Sequence, residues 1–297
     1  MKVAVIGIGS NSVRMLVALV EGGSMQRLRR EREGTRLFAG LDANKRLSRE
    51  AMESTAAAVR QMAESARADG AEVLRLFATS ATRDAANQAE FSAYLLEETG
   101  LTLEICSGAT EAALSFYGAT DGGDSGVIDI GGGSTEIIVG RGMDIRCAFS
   151  CQMGAVRLSG MLPIRDHGDL PAAEMVAADI LEAQMQQHPT LMLPGSWRGT
   201  GGTFTSLAAI IKGVHWTKRT FMHGTVLTLE DVEHVGRMLS DMTLEERRSL
   251  PGLQPNRADI VVHGICILLA CMRRLGLSSI TVSEYGNLEG YIKYNLL

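Results

Sequence analysis

One short pattern occurs twice in the 297-residue chain, and it constrains the fold more than any other feature. The first copy runs Val3-Ala4-Val5-Ile6-Gly7-Ile8-Gly9-Ser10-Asn11-Ser12 and continues into the apolar Met15-Leu16-Val17. The second runs Gly126-Val127-Ile128-Asp129-Ile130-Gly131-Gly132-Gly133-Ser134 and continues into Ile137-Ile138-Val139. Each reads as a buried strand, a small-residue turn and a second strand. Such a turn presents backbone N–H groups with no side chain to obstruct an anion. Two of them predict two similar units that grip phosphate from both sides of a cleft.

The rest of the chain alternates strands with helices. Ser48 caps a predicted helix over 49–68, whose Met52, Thr55, Ala56, Val59, Met62 and Ala66 fall on one face. A strand over 73–78 delivers Thr79-Ser80-Ala81-Thr82-Arg83-Asp84 at its end. Further helices are expected over 85–98, 171–187, 204–211, 229–239, 244–250, 257–275 and 286–296. Strands are expected over 101–106, 137–140, 145–149 and 279–283, and residues 21–47 read as a polar connection rich in Arg, Glu and Gly. This alternation defines the α/β class. Asp121-Gly122-Gly123-Asp124 is the natural linker, which predicts domains over 1–121 and 122–297, with the final helix able to pack back on the first.

Composition excludes several classes. The formal net charge is -5 and there is no basic tail, so no nucleic-acid partner is expected. No apolar run is long enough to span a bilayer or to act as a signal peptide, so no membrane partner is expected. The five cysteines include no CxxC pair and no zinc set, which suits reduced thiols in the cytoplasm. The histidines form no metal-binding spacing, and no GxSxG elbow occurs.

Three Gly/Ser/Thr turns are candidate phosphate sites: Gly9, Ser10, Asn11 and Ser12; Gly131, Gly132, Gly133 and Ser134; and Gly201, Gly202 and Thr203. None has the P-loop or dinucleotide-fingerprint spacing. Asp129 ends a buried strand beside the second turn, where a carboxylate needs a partner or a metal ion. Glu136 either returns to the same ion or is an ordinary solvated strand residue. Arg83 either forks onto a phosphate or pairs with Asp84. Glu111 opens a helix after Ser107-Gly108, where position alone reads as an acid favouring a helix N-terminus.

At these residues the sequence resembles the exopolyphosphatase and guanosine pentaphosphate phosphohydrolase family, within the actin, sugar kinase and heat-shock ATPase superfamily. The resemblance spans the chain. It is carried by Gly9 to Ser12, Ala78 to Arg83, Ser107-Gly108 with Glu111-Ala112, and Ile128 to Glu136. Gly154-Ala155-Val156-Arg157-Leu158, Gly199 to Thr203, and Ser283-Glu284 through Glu289-Gly290 complete it. It implies two ribonuclease H-like domains and a hydrolase that uses Mg²⁺ or Mn²⁺. The implied substrate is inorganic polyphosphate or guanosine pentaphosphate. It further implies Glu111 as catalytic base, Arg83 as the arginine on phosphate, and Asp129 with Glu136 as the metal-binding acids. Two positions depart from the family pattern. Gly7 stands where the family usually has Asp, and Gly7 also aligns with Asp129 in the internal repeat. Leu288 stands where the closing motif usually has Arg. These departures leave open a phosphate- or nucleotide-binding regulator without turnover; a separate alternative, an ATP-using kinase or ATPase of the superfamily, would need a purine pocket near Gly199 to Thr203. A homodimer is expected on frequency alone.

Overall fold

Strand β1 (Lys2–Ile8) pairs antiparallel with β2 (Val13–Glu21), which pairs antiparallel with β3 (Ser24–Glu33). On its other side β1 runs parallel to β4 (Val73–Ala78), and β4 runs parallel to β5 (Leu103–Ile105). The order is β3-β2-β1-β4-β5. The computed structural model describes residues 1–189 and 192–297. Helix α1 (Arg49–Ala68), the four-residue α2 (Ser80–Arg83) and α3 (Gln88–Thr99) lie between the parallel strands. The Ser48 hydroxyl accepts from Ala51 N at 3.2 Å and caps α1 as its sequence position predicts.

After α4 (Gly108–Ala119) the same arrangement begins again. Strands β6 (Asp124–Ile130), β7 (Thr135–Arg141) and β8 (Asp144–Cys151) form a second antiparallel meander. Helices α5 (Ala155–Met161) and α6 (Leu170–Met185) follow, then β9 (Trp197–Gly201) parallel to β6. Next come α7 (Gly202–Ile211), β10 (Val226–Thr228), α8 (Leu229–Asp241), α9 (Leu244–Arg248) and α10 (Val261–Arg274). Strand β11 (Ser279–Val282) and helix α11 (Asn287–Asn295) close the chain. The second order is β10-β11-β9-β6-β7-β8. Apart from the added edge strand β10, it repeats the first sheet. The parallel strands of each sheet are buried between helices, which is why they read as continuous apolar runs.

Two helices cross from one half to the other. Helix α4 follows β5 but packs Ala112, Phe116 and Tyr117 against Val127 and Ile138 of the second sheet. Helix α11 follows β11 but packs Leu288, Tyr291 and Ile292 against Val3, Val5, Leu16 and Phe77 of the first sheet. The Phe77 and Tyr291 rings stack with centroids 5.1 Å apart. Where α4 and α11 cross, the backbones touch. A Cβ on Gly290 would lie 1.7 Å from the Leu114 carbonyl oxygen, and one on Gly118 would lie 1.8 Å from that of Gly286. Gly290→Ala must push the helices apart, at a cost of about 1–3 kcal/mol. The expected result is a lower urea midpoint with an unchanged slope, and an unchanged midpoint would show that the crossing gives way freely.

Strand β3 corrects the polar connection expected over 21–47. None of its residues is buried, so it carries no apolar alternation to read. It is a charged edge strand, and its Arg and Glu residues suit an edge that must not recruit other strands. The three-residue β10 and the seven-residue α5 also go beyond the sequence expectation. Helix α10 begins at Val261 rather than near 257, because residues Pro255–Arg257 form a separate 3-10 turn. Among the described residues no helix is long and apolar enough to cross a membrane.

Candidate active site

The two repeated turns face each other across one cavity and share the same internal bond. Gly9 N donates to Ser12 O and Gly131 N donates to Ser134 O, both at 3.0 Å. The carbonyl groups of both turns are engaged from outside. Ser10 O accepts from Phe38 N at 2.9 Å, and Asn11 O accepts from Arg36 N at 3.2 Å. Gly132 O accepts from Val156 N at 2.9 Å, at the start of α5. The amides of Ser10, Asn11, Gly132 and Gly133 donate to no acceptor among the described residues. This is the polarity an anion needs. Both polar atoms of the buried Asn11 side-chain amide also lack a partner among the described residues.

The third turn closes the end of the cavity. Gly201 has φ +103, and a Cβ there would lie 2.5 Å from the Ile130 carbonyl oxygen. Only glycine meets both conditions without strain. At Gly202 the Arg257 guanidinium occupies the space a Cβ would take.

Of the residues singled out from sequence, Gly9, Ser10, Asn11, Ser12, Glu111, Asp129, Gly131, Gly132, Ser134, Glu136, Gly201, Gly202 and Thr203 all line this one cavity. Gly133 and Arg83 do not. Gly133 turns outward, its carbonyl accepting from Arg157 Nε at 2.7 Å. Arg83 stands behind Glu111 and donates from Nη1 to Glu111 Oε2 at 2.9 Å and to Cys106 O at 3.1 Å. Of the side chains weighed for Arg83, Asp84 is not its contact; Glu111 is. Asp84 instead pairs with Arg157 at 2.5 Å, which ties α5 of the second half to the end of α2 in the first.

Glu111 lies in the first turn of α4, capped by Ser107, yet it is only 6% exposed. Burial pushes its carboxyl above the usual range, and Arg83 opposes the shift. Asp129 ends β6 and accepts a short hydrogen bond from the Ser115 hydroxyl. Burial raises its carboxyl, while Ser115 and the charge of Arg14 hold it down. Glu136, opposite Asp129 in the β6–β7 ladder, is 1% exposed and accepts from Ser150 Oγ at 2.7 Å. Burial, then the charges of Glu111 and Asp129, push it well above the usual range. Glu136 is therefore no solvated strand residue. Two buried acids and the half-buried Asp129, whose charge raises the proton affinity of both Glu111 and Glu136, are what a cation would relieve. Among the described residues no three Asp, Glu, His or Cys side chains converge as a ready metal-ligand set.

Arg14, Arg257 and Asn287 also line the cavity, and the sequence reading passed over all three. Arg14 donates to Asn287 Oδ1 at 3.3 Å. Its signal was present, because Arg14 pairs with Gly7 as Glu136 pairs with Asp129. Arg257 has no local signal; it reaches the site only because Gly202 leaves room. The five cysteines are all free thiols. Burial pushes Cys106, Cys151 and Cys266 up to about 12, which makes them poor nucleophiles.

A duplicated sheet-and-turn unit with crossed helices and a cleft of facing amides is the two-domain actin-like ATPase fold, and the family to which the chain belongs makes it a phosphoanhydride hydrolase. The family model of the Ppx/GppA phosphatase family matches residues 16–297, and the chain belongs to that family. It is 33% identical over 313 residues to exopolyphosphatase 2 of Mycobacterium tuberculosis, with 97% of each chain covered. A crystal structure of an exopolyphosphatase-like protein superposes with TM-score 0.90 at 28% identity, over 98% of this chain and 96% of that one. The Aquifex aeolicus PPX-GPPA enzyme superposes with TM-score 0.82 at 26% identity, over 99% of each chain.

Proposed function

We propose that the chain hydrolyses the terminal phosphate of inorganic polyphosphate, with Glu111 as general base. The observation that supports this most is a buried carboxylate held on an arginine, in the same cavity as two facing rows of unused backbone N–H groups. The terminal phosphoryl oxygens accept hydrogen bonds from the amides of Ser10, Asn11 and Gly132 and from the Ser10 and Ser134 hydroxyls. Arg83 fixes the orientation of Glu111 through Nη1, and reaching a phosphate oxygen itself would require its side chain to swing out from behind Glu111. Glu111 takes a proton from a water as the water oxygen bonds to the terminal phosphorus. The bond from that phosphorus to the bridging oxygen breaks, and the shortened chain leaves with the electron pair. Burial makes Glu111 a stronger base than an exposed glutamate.

Asp129 and Glu136, paired across the β6–β7 ladder, would hold Mg²⁺ or Mn²⁺. With two protein carboxylates, the rest of its shell falls to water and phosphate, which is how Mg²⁺ is commonly held. Such an ion would supply charge neutralisation at the phosphoryl oxygens. The sign of the pH dependence follows from burial. Without a cation, Asp129 and Glu136 hold protons up to higher pH in the folded chain than in the unfolded one. Their contribution to stability is therefore present at low pH and lost as pH rises through the raised values. A bound cation displaces those protons. Stabilisation by Mg²⁺ should thus grow as pH rises above the usual carboxylate range and through the raised values of these two acids, read as thermal shift. A pH-independent shift would remove these two acids from the metal site.

A second reading, hydrolysis of the 5′ phosphate of guanosine pentaphosphate, is favoured by one observation. The cavity continues past Arg14 and Arg257 to a space lined by Arg30 and Arg32. That space adjoins a groove containing Trp216 and Pro255, together with the amides of Gln254 and Asn256. An aromatic surface beside cations suits a nucleobase more than bare phosphate. Phosphate release from long-chain polyphosphate and guanosine pentaphosphate, measured in parallel with Mg²⁺, decides between them. Faster turnover of polyphosphate is expected. The reverse preference would establish the second reading, and release from neither would overturn both in favour of a binding protein. A cytoplasmic location, a homodimer and the lack of a nucleic-acid or membrane partner are parts of this proposal, and the acidic net charge of -5 disfavours a polyanionic partner.

A further inference from the structure

Gly7 and Asp129 hold the same place in the two halves, and their surroundings differ in kind. Gly7 pairs with Arg14 across its ladder, and Asp129 pairs with Glu136 across the other. Cross-strand partners project to the same face of their sheet. On the second sheet that face is covered by α4, whose Ser115 hydroxyl donates to Asp129. On the first it is covered by α11, the helix in the equivalent position, and Leu288 stands there. A Cβ on Gly7 would lie 2.9 Å from Phe77 Cζ and 3.1 Å from Leu288 Cδ2. Phe77 and Leu288 are both buried and belong to one apolar cluster with Tyr291 and Ile292. The polar contact of one half is an apolar contact in the other.

We propose that Gly7, Phe77 and Leu288 form a single apolar seal that strips the first turn of metal-ligating capacity. The cleft then holds one divalent cation, on Asp129 and Glu136, with Arg14 as the fixed positive charge of the opposite wall. This rests on the metal site assigned above. Arg14 lines the same cavity as Asp129, across the ladder from Gly7. A second cation would meet a guanidinium on the first turn where a carboxylate would be needed. Gly7 and Leu288 are therefore one change and not two: a carboxylate at position 7 would be buried against Leu288 and Phe77 unless position 288 supplied its counter-ion.

The test is a double-mutant cycle in the full-length chain, read as melting temperature. Gly7→Asp should lower it by roughly 5–10 °C. Leu288→Arg alone should also lower it, by opening the cluster. Together the two should melt well above the sum of the single losses, because the new charges pair. Additive losses overturn the seal. If Gly7→Asp does not fold, Gly7→Ala with Leu288→Ala serves in its place. Relief of the alanine clash by the smaller residue at 288 supports the seal, and additivity overturns it. Titration with Mn²⁺, followed by the resonance signal of the free ion, should count one ion per chain. Two ions overturn the one-cation claim while leaving the proposed hydrolysis intact. No bound ion overturns it together with the metal site on which it rests.

Discussion

Glu111→Gln should release phosphate from polyphosphate at least about 100-fold more slowly than the wild-type chain, and up to about 10⁴-fold. The amide keeps the size of the side chain, but it cannot take a proton from water. KM should move far less than kcat, because in the proposed binding mode the terminal phosphate is gripped by the amides of the two turns, which are otherwise unused. Folding should survive. The substitution removes a buried carboxylate whose own desolvation opposes ionisation, and the amide oxygen can still accept from Arg83. A variant with normal melting and near-normal kcat would assign the base elsewhere. A variant that melts far below the wild type would show that the Arg83–Glu111 pair is structural first.

The second large effect is expected at Asp129. Asp129→Asn keeps an acceptor for the Ser115 hydroxyl but removes the charge at the strand end. The rate should fall by at least about 100-fold, the scale of losing charge neutralisation on a transferring phosphoryl group. The thermal shift produced by Mg²⁺ should disappear with it. In the absence of Mg²⁺ the variant should be no less stable than the wild type above neutral pH, because burial penalises the ionised acid. An intact Mg²⁺ response would place the ion away from Asp129.

Particular residues show what the sequence could and could not reveal. The repeated strand and turn was legible because a buried parallel sheet demands apolar strands, and an anion turn demands small residues. Both demands are local. The capped start of α1 at Ser48 was legible for the same reason. Strand β3 was not, since an edge strand with neither face buried imposes no period on its residues. Glu111 shows the limit most clearly. By position it is an ordinary acid in the first turn of a helix. Its burial arises because α4 leaves its own sheet to pack on the second, and no local pattern records that crossing. Resemblance to a family drew attention to it where spacing could not. Arg14 was recoverable by carrying the repeat one register pair beyond the turn. Arg257 was not, since it reaches the cleft through tertiary packing over Gly202. Leu288 and Gly7 lie far apart in the chain, and only the return of α11 to the first sheet makes them neighbours.

The most direct test is hydrolysis of long-chain polyphosphate in ¹⁸O-enriched water with Mg²⁺, followed by mass analysis of the products. Attack by a Glu111-activated water on the terminal phosphorus places one label in each released phosphate and none in the shortened chain. Label in the shortened chain, or phosphate released without label, would contradict terminal hydrolysis at this cleft.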